Sequence, residues 1–463
     1  MGTGVVGGMS HNHAISVFIG VIIALGLAQP TPFVPSSRPN FLIILTDNHP
    51  VGTEEQFMPT TWARIYQQGV RFPNSFATTS ACCPSRASIL TGMYAHNHNV
   101  RVERDPLDKN TIVERLNAAG YVTGQVGKYL NSWSGTPRPE FDFWVANQAG
   151  GSVYNNPRLN VNGVWTQHQG YITYILRDYA VRFLEETARA DQPFVLFLSL
   201  TAPHDEPTEN PAQFGLAVPA PGHENLYPDL APYRPPNYYE QDVSDKPAWV
   251  QRFRRGPLAN AQQADMDNRR RKQLQTLKSA DEAIGAVLDT LARQGRIDNT
   301  VIFFLTDNGF LWGEHGINGT YVPSDNSSRI VLTVRYPALV PAGSVERRLV
   351  ANVDIAPTIY QLAGLPIPPE VDGLSLVRLL DGTGPWREEL LLEMWPDPIL
   401  RQPWPPVAAV RTARYVYAES EGDRPELYDF ETDPYQLQNR ADDPAYASVM
   451  TELRERLQRL RRE

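Results

Sequence analysis

Three short runs in this chain are apolar throughout or nearly so: residues 41–45, 194–200 and 301–305. A strand with one wet face alternates apolar and polar residues, whereas a strand covered on both faces does not. The runs are therefore read as strands inside a sheet covered on both sides. Segments with helical spacing of apolar residues lie between and around them, at 112–120, 176–190 and 274–295. Strands alternating with helices predict a doubly wound α/β domain with a mainly parallel sheet. Such sheets bind ligands beyond the carboxyl ends of their strands. Here the first run leads into Thr46, Asp47 and Asn48, the second into His204, and the third into Thr306, Asp307 and Asn308. Asp and Asn are ordinary turn residues. The same Thr-Asp-Asn after two distant strands points instead to one shared site of oxygen donors.

The chain has 463 residues, enough for one large α/β domain and a smaller companion. Residues 36–385 are read as the large domain. From about 386 the pattern changes to short strands at 391–395, 407–412 and 415–419 and a basic terminal helix, giving a small α+β subdomain over 386–463. Residues 205–250 are rich in Pro and Tyr and lack periodicity. A loop that long is usually functional, and because it follows His204 it is read as the rim of a substrate site. Residues 15–28 form an apolar run of signal-peptide length with Gly26 and Ala28 before a cleavage point, so residues 1–28 predict export to the periplasm, cell surface or medium, an uncleaved anchor being the alternative. A formal charge of −9 does not suit a chain that coats nucleic acid. Two basic clusters, Arg252, Arg254 and Arg255, then Arg269, Arg270, Arg271 and Lys272, are read as solvated surface. The only cysteines, Cys82 and Cys83, are adjacent. Neighbours in sequence make a poor disulfide, and no Cys-x-x-Cys spacing suggests zinc.

The segment from Cys82 to Gly92 explains them differently. Pro84 suits the first turn of a helix, which puts Cys82 at a helix N-terminus, where free N–H groups favour an anion. Arg86 can add a fork of hydrogen bonds. In this segment the chain resembles the sulfatase family, whose signature Cys-x-Pro-Ser-Arg-x-x-x-Leu-Thr-Gly is met by Cys82, Pro84, Ser85, Arg86, Leu90, Thr91 and Gly92. Further similarities are Gly127-Lys128, His204 after Ala202-Pro203, and Asp307-Asn308. The segments around Asp354, Asp372 and 426–439 look like family landmarks of a structural kind. The form of residues 127–131 and of the stretch around Lys278, Ser279 and Asp281 is similar to the N-acetylglucosamine-6-sulfatase branch.

The resemblance implies an alkaline-phosphatase-like α/β fold and hydrolysis of a sulfate ester, of a sugar or an aryl alcohol. It implies oxidation of Cys82 to formylglycine (3-oxoalanine) by a formylglycine-generating enzyme, and one divalent cation, usually Ca2+, with Mg2+ or Mn2+ as alternatives. It assigns Asp47, Asn48, Asp307 and Asn308, with the modified Cys82, to the metal. Asp307 becomes the base, Arg86 orients the formylglycine, and Lys128 and His204 bind sulfate and assist the leaving oxygen. Two departures stand out. Asn48 replaces a usual aspartate, and Thr320 stands where a second sulfate-binding lysine is usual, with His315 or Arg329 as substitutes. Two other readings remain open: a phosphonate or phosphate ester hydrolase of the same fold, and a silent binder of sulfated glycans.

Overall fold

The computed structural model describes residues 1–8, 33, 35, 37–147, 152–189, 192–208, 215–253, 258–320, 325–398 and 404–462. Most of the predicted export segment, and Arg254 and Arg255, lie outside them. Ten strands form the main sheet: β1 (Asn40–Thr46), β2 (Val70–Arg71), β3 (Val122–Gly127), β4 (Phe143–Asn147), β5 (Arg158–Val161), β6 (Val164–Gln167), β7 (Phe194–Ser199), β8 (Thr300–Thr306), β9 (Leu332–Arg335) and β10 (Ser344–Val345). Their order is β10-β2-β9-β8-β1-β7-β3-β4-β5-β6. The five central strands, β8, β1, β7, β3 and β4, are mutually parallel. Antiparallel pairings begin outside them, β9 on β8 and β5 on β4, so the sheet is mixed and mainly parallel.

The three apolar runs are β1, β7 and β8, and every residue of these strands is buried. The pleat divides β1 between two cores, as a two-sided sheet requires. Phe41, Ile43 and Leu45 join one, and Leu42 and Ile44 the other. The first core packs against α1 (Cys82–Thr91), α2 (Ile112–Ala118) and α5 (Ile355–Leu362). The second packs against α3 (Ile172–Thr187) and α4 (Asn260–Arg293).

Helix α4 begins at Asn260, well before the predicted 274, because its first turns are built from good helix formers that lack an apolar stripe. The cluster from Arg269 to Lys272 therefore lies on a helix, and it is half-buried rather than a solvated face. Residues 205–247 contain no helix or strand among the described residues. The C-terminal part is a four-stranded antiparallel sheet of β11 (Glu389–Met394), β12 (Val407–Thr412), β13 (Tyr415–Ser420) and β14 (Glu426–Asp429), covered by α6 (Ala447–Leu460). Trp395 falls outside β11, where the Arg101 guanidinium lies 5.2 Å from its ring centroid.

Candidate active site

Register brings the site together. Leu45 is level with Ser199 on one side and Leu305 on the other, Thr46 with Thr306, and Gly127 with Ser199. The carboxyl ends of β1, β3, β7 and β8 thus finish on one edge. The chain stays paired just beyond them. Asp47 N–H donates to Ala202 at 3.2 Å, Asp307 N–H to Thr46 at 3.3 Å, and Lys128 N–H to Ser199 at 2.9 Å. Gly127 is required there: its φ is +108°, and a Cβ would sit 1.9 Å from the Ser199 carbonyl oxygen. Asn48 takes a left-handed φ of 58°, a conformation that Asn and Asp tolerate better than other side chains.

Helix α1 delivers the cysteine. All ten of its residues are buried, and Gly92 ends it in the left-handed region. The motif's polar residues bind inside the protein. The Ser85 hydroxyl donates to the Asp307 carbonyl and accepts from Asn352 Nδ2 at 2.9 Å. Cys82 Sγ lies 3.5 Å from Asp47 Oδ1 and 3.8 Å from Asn48 Oδ1. Arg86 donates from Nε to Asp307 Oδ2 at 2.8 Å and from Nη1 to the Lys128 carbonyl at 2.8 Å, while Nη2 stands 3.5 Å from Asp47 Oδ2. Lys128 Nζ is 2.5 Å from the same Asp47 oxygen. One donor atom from each of Asp47, Cys82 and His204 falls within a span of 4.8 Å.

The electrostatics follow from this packing. Burial opposes ionisation of Asp47, but Lys128, His204 and Arg86 outweigh it and hold the carboxyl well below the usual range. Burial raises Asp307, Asp47 adds to it, and Arg86 and Lys128 pull against both. Burial would also neutralise Lys128, yet Asp47 beside it keeps the ammonium charged. Burial lifts the Cys82 thiol far above its ordinary range, with Lys128 opposing and Asp47 and Asp307 adding to the rise. A thiol held protonated is a poor nucleophile.

His204 Nδ1 lies 2.5 Å from the Asp205 carbonyl, which can only accept, so that nitrogen carries the proton. The His204 carbonyl accepts from the Tyr154 hydroxyl at 2.7 Å. Cys82, Arg86, Lys128, Asp47, Asn48, Asp307, Asn308 and His204 therefore share one site. The bonds of His315 and Arg329 run elsewhere. His315 Nδ1 pairs with Glu240 at 2.7 Å and its Nε2 faces Asn237 at 3.3 Å, while Arg329 pairs with Asp325 at 2.6 Å. Buried Thr320 is the position without a lysine. Sequence reasoning missed Glu103, whose carboxylate accepts from Cys83 N–H at 3.3 Å and from Asn131 Nδ2 at 2.8 Å. It also missed Asn352, which holds Ser85. Neither sits in a periodic or repeated pattern that would have marked it.

Comparison with known proteins bears on the same residues. The family model described as Sulfatase matches residues 39–365. The chain belongs to the sulfatase family. A second model, N-sulphoglucosamine sulphohydrolase, C-terminal, matches residues 313–463. The chain is 31% identical over 385 residues to the extracellular sulfatase SULF-1 homolog of Drosophila melanogaster, covering 78% of this chain but 33% of that one. It thus spans about a third of that relative's length. It is 30% identical over 391 residues to the N-acetylglucosamine-6-sulfatase of Homo sapiens, covering 77% of this chain and 67% of that one. The solved structure of BT4656 in complex with its substrate D-glucosamine-2-N,6-O-disulfate superimposes on this chain with a TM-score of 0.81 and 25% identity, over 92% of this chain and 98% of that one.

Proposed function

We propose that this chain is an exported sulfatase that hydrolyses the 6-O-sulfate ester of a glucosamine-type sugar, using formylglycine made from Cys82 and one divalent cation. The observation that carries the reading is Cys82 at the buried N-terminus of α1, with Asp47, Lys128 and His204 around its sulfur. The sugar is suggested by the human relative and by the substrate bound to BT4656. Export is suggested by relatives named extracellular and by the apolar run at 15–28.

The donor set fits a hard cation. Asp47, Asn48, Asp307 and Asn308 offer only oxygen as ligand atoms. The Asn308 Oδ1 atom is buried without a hydrogen-bond partner, while its Nδ2 donates to Asn48 Oδ1 at 2.6 Å and to Gly309 at 2.9 Å. An unpaired buried acceptor is costly unless something satisfies it. A calcium ion, when bound, would polarise a sulfate oxygen and acidify a nearby hydroxyl. Formylglycine would supply hydrated-aldehyde hydroxyls on the Cys82 Cβ, and Sγ stands where one of these oxygens would be.

The chain's own groups do the rest in this reading. Arg86 is fixed by Asp307 and the Lys128 carbonyl, so it orients the group at position 82 without moving. Lys128 holds a sulfate oxygen by charge, and His204 assists the leaving sugar oxygen. Asp307 takes the proton of the attacking hydroxyl, and Asp47 contacts the reacting group directly. His315 and Arg329, bound to Glu240 and Asp325, have no role in it.

Two carboxylates, Asp47 and Asp307, face two cations, Arg86 and Lys128. Asn48 adds no charge, so a divalent ion leaves the site positive, which suits a sulfate monoester. Asn48→Asp should bind Ca2+ at least about tenfold more tightly in calorimetric titration of metal-stripped protein. Unchanged affinity would mean that position 48 does not touch the ion. The reading as a whole is tested by mass spectrometry of the peptide containing Cys82, from protein made in its own host. Conversion of thiol to aldehyde lowers the mass by about 18 Da. An unmodified thiol in protein that turns over sulfate esters would remove formylglycine from the mechanism.

A further inference from the structure

Two of the loops that build the site are joined by a side chain outside it. Gln273 lies on α4 and is fully buried. Its Nε2 donates to Asp205 Oδ1 at 3.5 Å, and its Oε1 accepts from Trp312 Nε1 at 2.6 Å. Its orientation is unambiguous, since an indole N–H can only donate and a carboxylate accepts. Asp205 follows His204 directly, and its carbonyl is the acceptor for His204 Nδ1. The Asp205 carboxylate is buried and held on two further sides, by Ala217 N–H at 3.1 Å and by Arg269 Nη1 at 3.3 Å. Trp312 lies four residues after Asn308, on the short hairpin that continues the Asp307–Asn308 loop. Its own N–H donates to Glu314 Oε2 at 2.6 Å, and the Arg270 guanidinium covers its ring at 5.0 Å.

The basic turn of α4 thus faces inward at two of its arginines. Arg269 holds the His204 loop and Arg270 the Trp312 hairpin, with Gln273 bridging the two one turn further along. We propose that Gln273 is a positioning residue, a strut that fixes the His204 loop and the Asp307–Asn308 loop relative to each other. Its catalytic consequence rests on the proposed function, in which His204 and Asp307 act on the same sulfate. Removing the strut leaves both binding loops present but free to shift, and misplacement on the ångström scale lowers turnover more than binding.

The test compares Gln273→Ala and Gln273→Glu with Asp281→Asn. Gln273→Glu keeps the acceptor for Trp312 but sets a carboxylate against Asp205. Asp281 anchors the same helix two turns away, accepting from Thr61 N–H at 2.7 Å and Thr61 Oγ1 at 2.9 Å, and touches neither loop. Both Gln273 variants should lose about tenfold to a hundredfold in kcat, with KM within about twofold, well below their melting temperatures. Asp281→Asn should lower Tm and leave kcat alone. Hydrogen exchange of the holoprotein supplies a readout that needs no substrate. Amide exchange should rise in both 201–206 and 307–313 in the Gln273 variants and in neither for Asp281→Asn. Faster exchange in only one loop, or in neither, overturns the strut. So does wild-type kcat in Gln273→Ala. A wild-type protein that cleaves no sulfate ester but passes the exchange test would overturn the functional reading and keep the strut.

Discussion

Cys82→Ala is expected to lower kcat/KM for a 6-sulfated glucosamine, and for a generic aryl sulfate, by about 10^4-fold or more, which corresponds to roughly 5 kcal/mol of transition-state stabilisation. The size follows from what surrounds the position. Asp47, Lys128, Arg86 and Asp307 are tied to one another, so each remains in place when the side chain at 82 is shortened. None of them can replace a missing nucleophile. The carboxylates are engaged by cations, and Lys128 is kept protonated beside Asp47. What survives is binding and electrostatic stabilisation, which alone leaves a small fraction of the rate. The loss should not come from unfolding. Removing one buried sulfur leaves a small cavity, so Tm should fall by no more than a few degrees. Cys83→Ala is the matched control. Its sulfur accepts from Asn131 N–H at 3.0 Å and its charged partner is Glu103, outside the cluster of Asp47, Lys128, Arg86 and Asp307, so the variant should lose stability and keep activity within about tenfold. Retention of more than about 1% of activity in Cys82→Ala would remove position 82 from the chemistry.

The site was legible for a physical reason. A strand buried on both faces is marked by its composition, and the residue that follows it in a parallel sheet must lie at the ligand edge. Asp47, His204 and Asp307 could therefore be placed together from the sequence alone. The Cys82–Gly92 motif was legible because Pro84 marks a helix entry and seven fixed positions of the family signature crowd into eleven residues. Lys128 was visible only through the resemblance of Gly127-Lys128 to the family's motif, and the structure adds the reason for the glycine, whose missing Cβ allows the close approach to Ser199.

What was not legible has equally definite causes. The β5–β6 hairpin turns at Asn162-Gly163, both with positive φ, which is the strongest short hairpin signal a sequence offers, but its strands are too polar to draw notice. Strand β14 is four residues long, too short for alternation to register. Helix α4 was read at about two-thirds of its length because its polar first half contacts loops instead of a core. For the same reason Arg269 and Arg270 looked like solvated charge. Their partners, Asp205 and Trp312, are far away in sequence, and pairing at that distance leaves no mark in a single chain. His315 was offered as a substitute for a missing lysine, whereas its bonds tie it to Glu240 and Asn237.

The landmark segment at Asp354 is expected to matter for stability as much as Cys82 does for turnover. Asp354 is fully buried, and its carboxylate is saturated. It accepts from Ala351 N–H at 2.8 Å and Leu374 N–H at 2.8 Å, and takes both terminal nitrogens of Arg387 at 2.5 and 2.6 Å. One side chain thus pins the turn before α5, the loop around Leu374 and the approach to β11. Asn352, two residues earlier, reaches Ser85 on α1, so the same turn supports the nucleophile helix. Asp354→Ala strands the mostly buried Arg387 charge and two backbone donors. Breaking a buried pair on one side costs about 3–5 kcal/mol, and for a chain of this size that corresponds to a fall in Tm of roughly 5 °C. The double variant Asp354→Ala/Arg387→Ala removes the orphaned charge as well and should melt above the single variant, because what is costly is the unpaired guanidinium more than the lost attraction. Scanning calorimetry of the two variants decides it. A double variant that melts no higher than Asp354→Ala would show that the carboxylate acts through its two backbone bonds, with Arg387 a bystander.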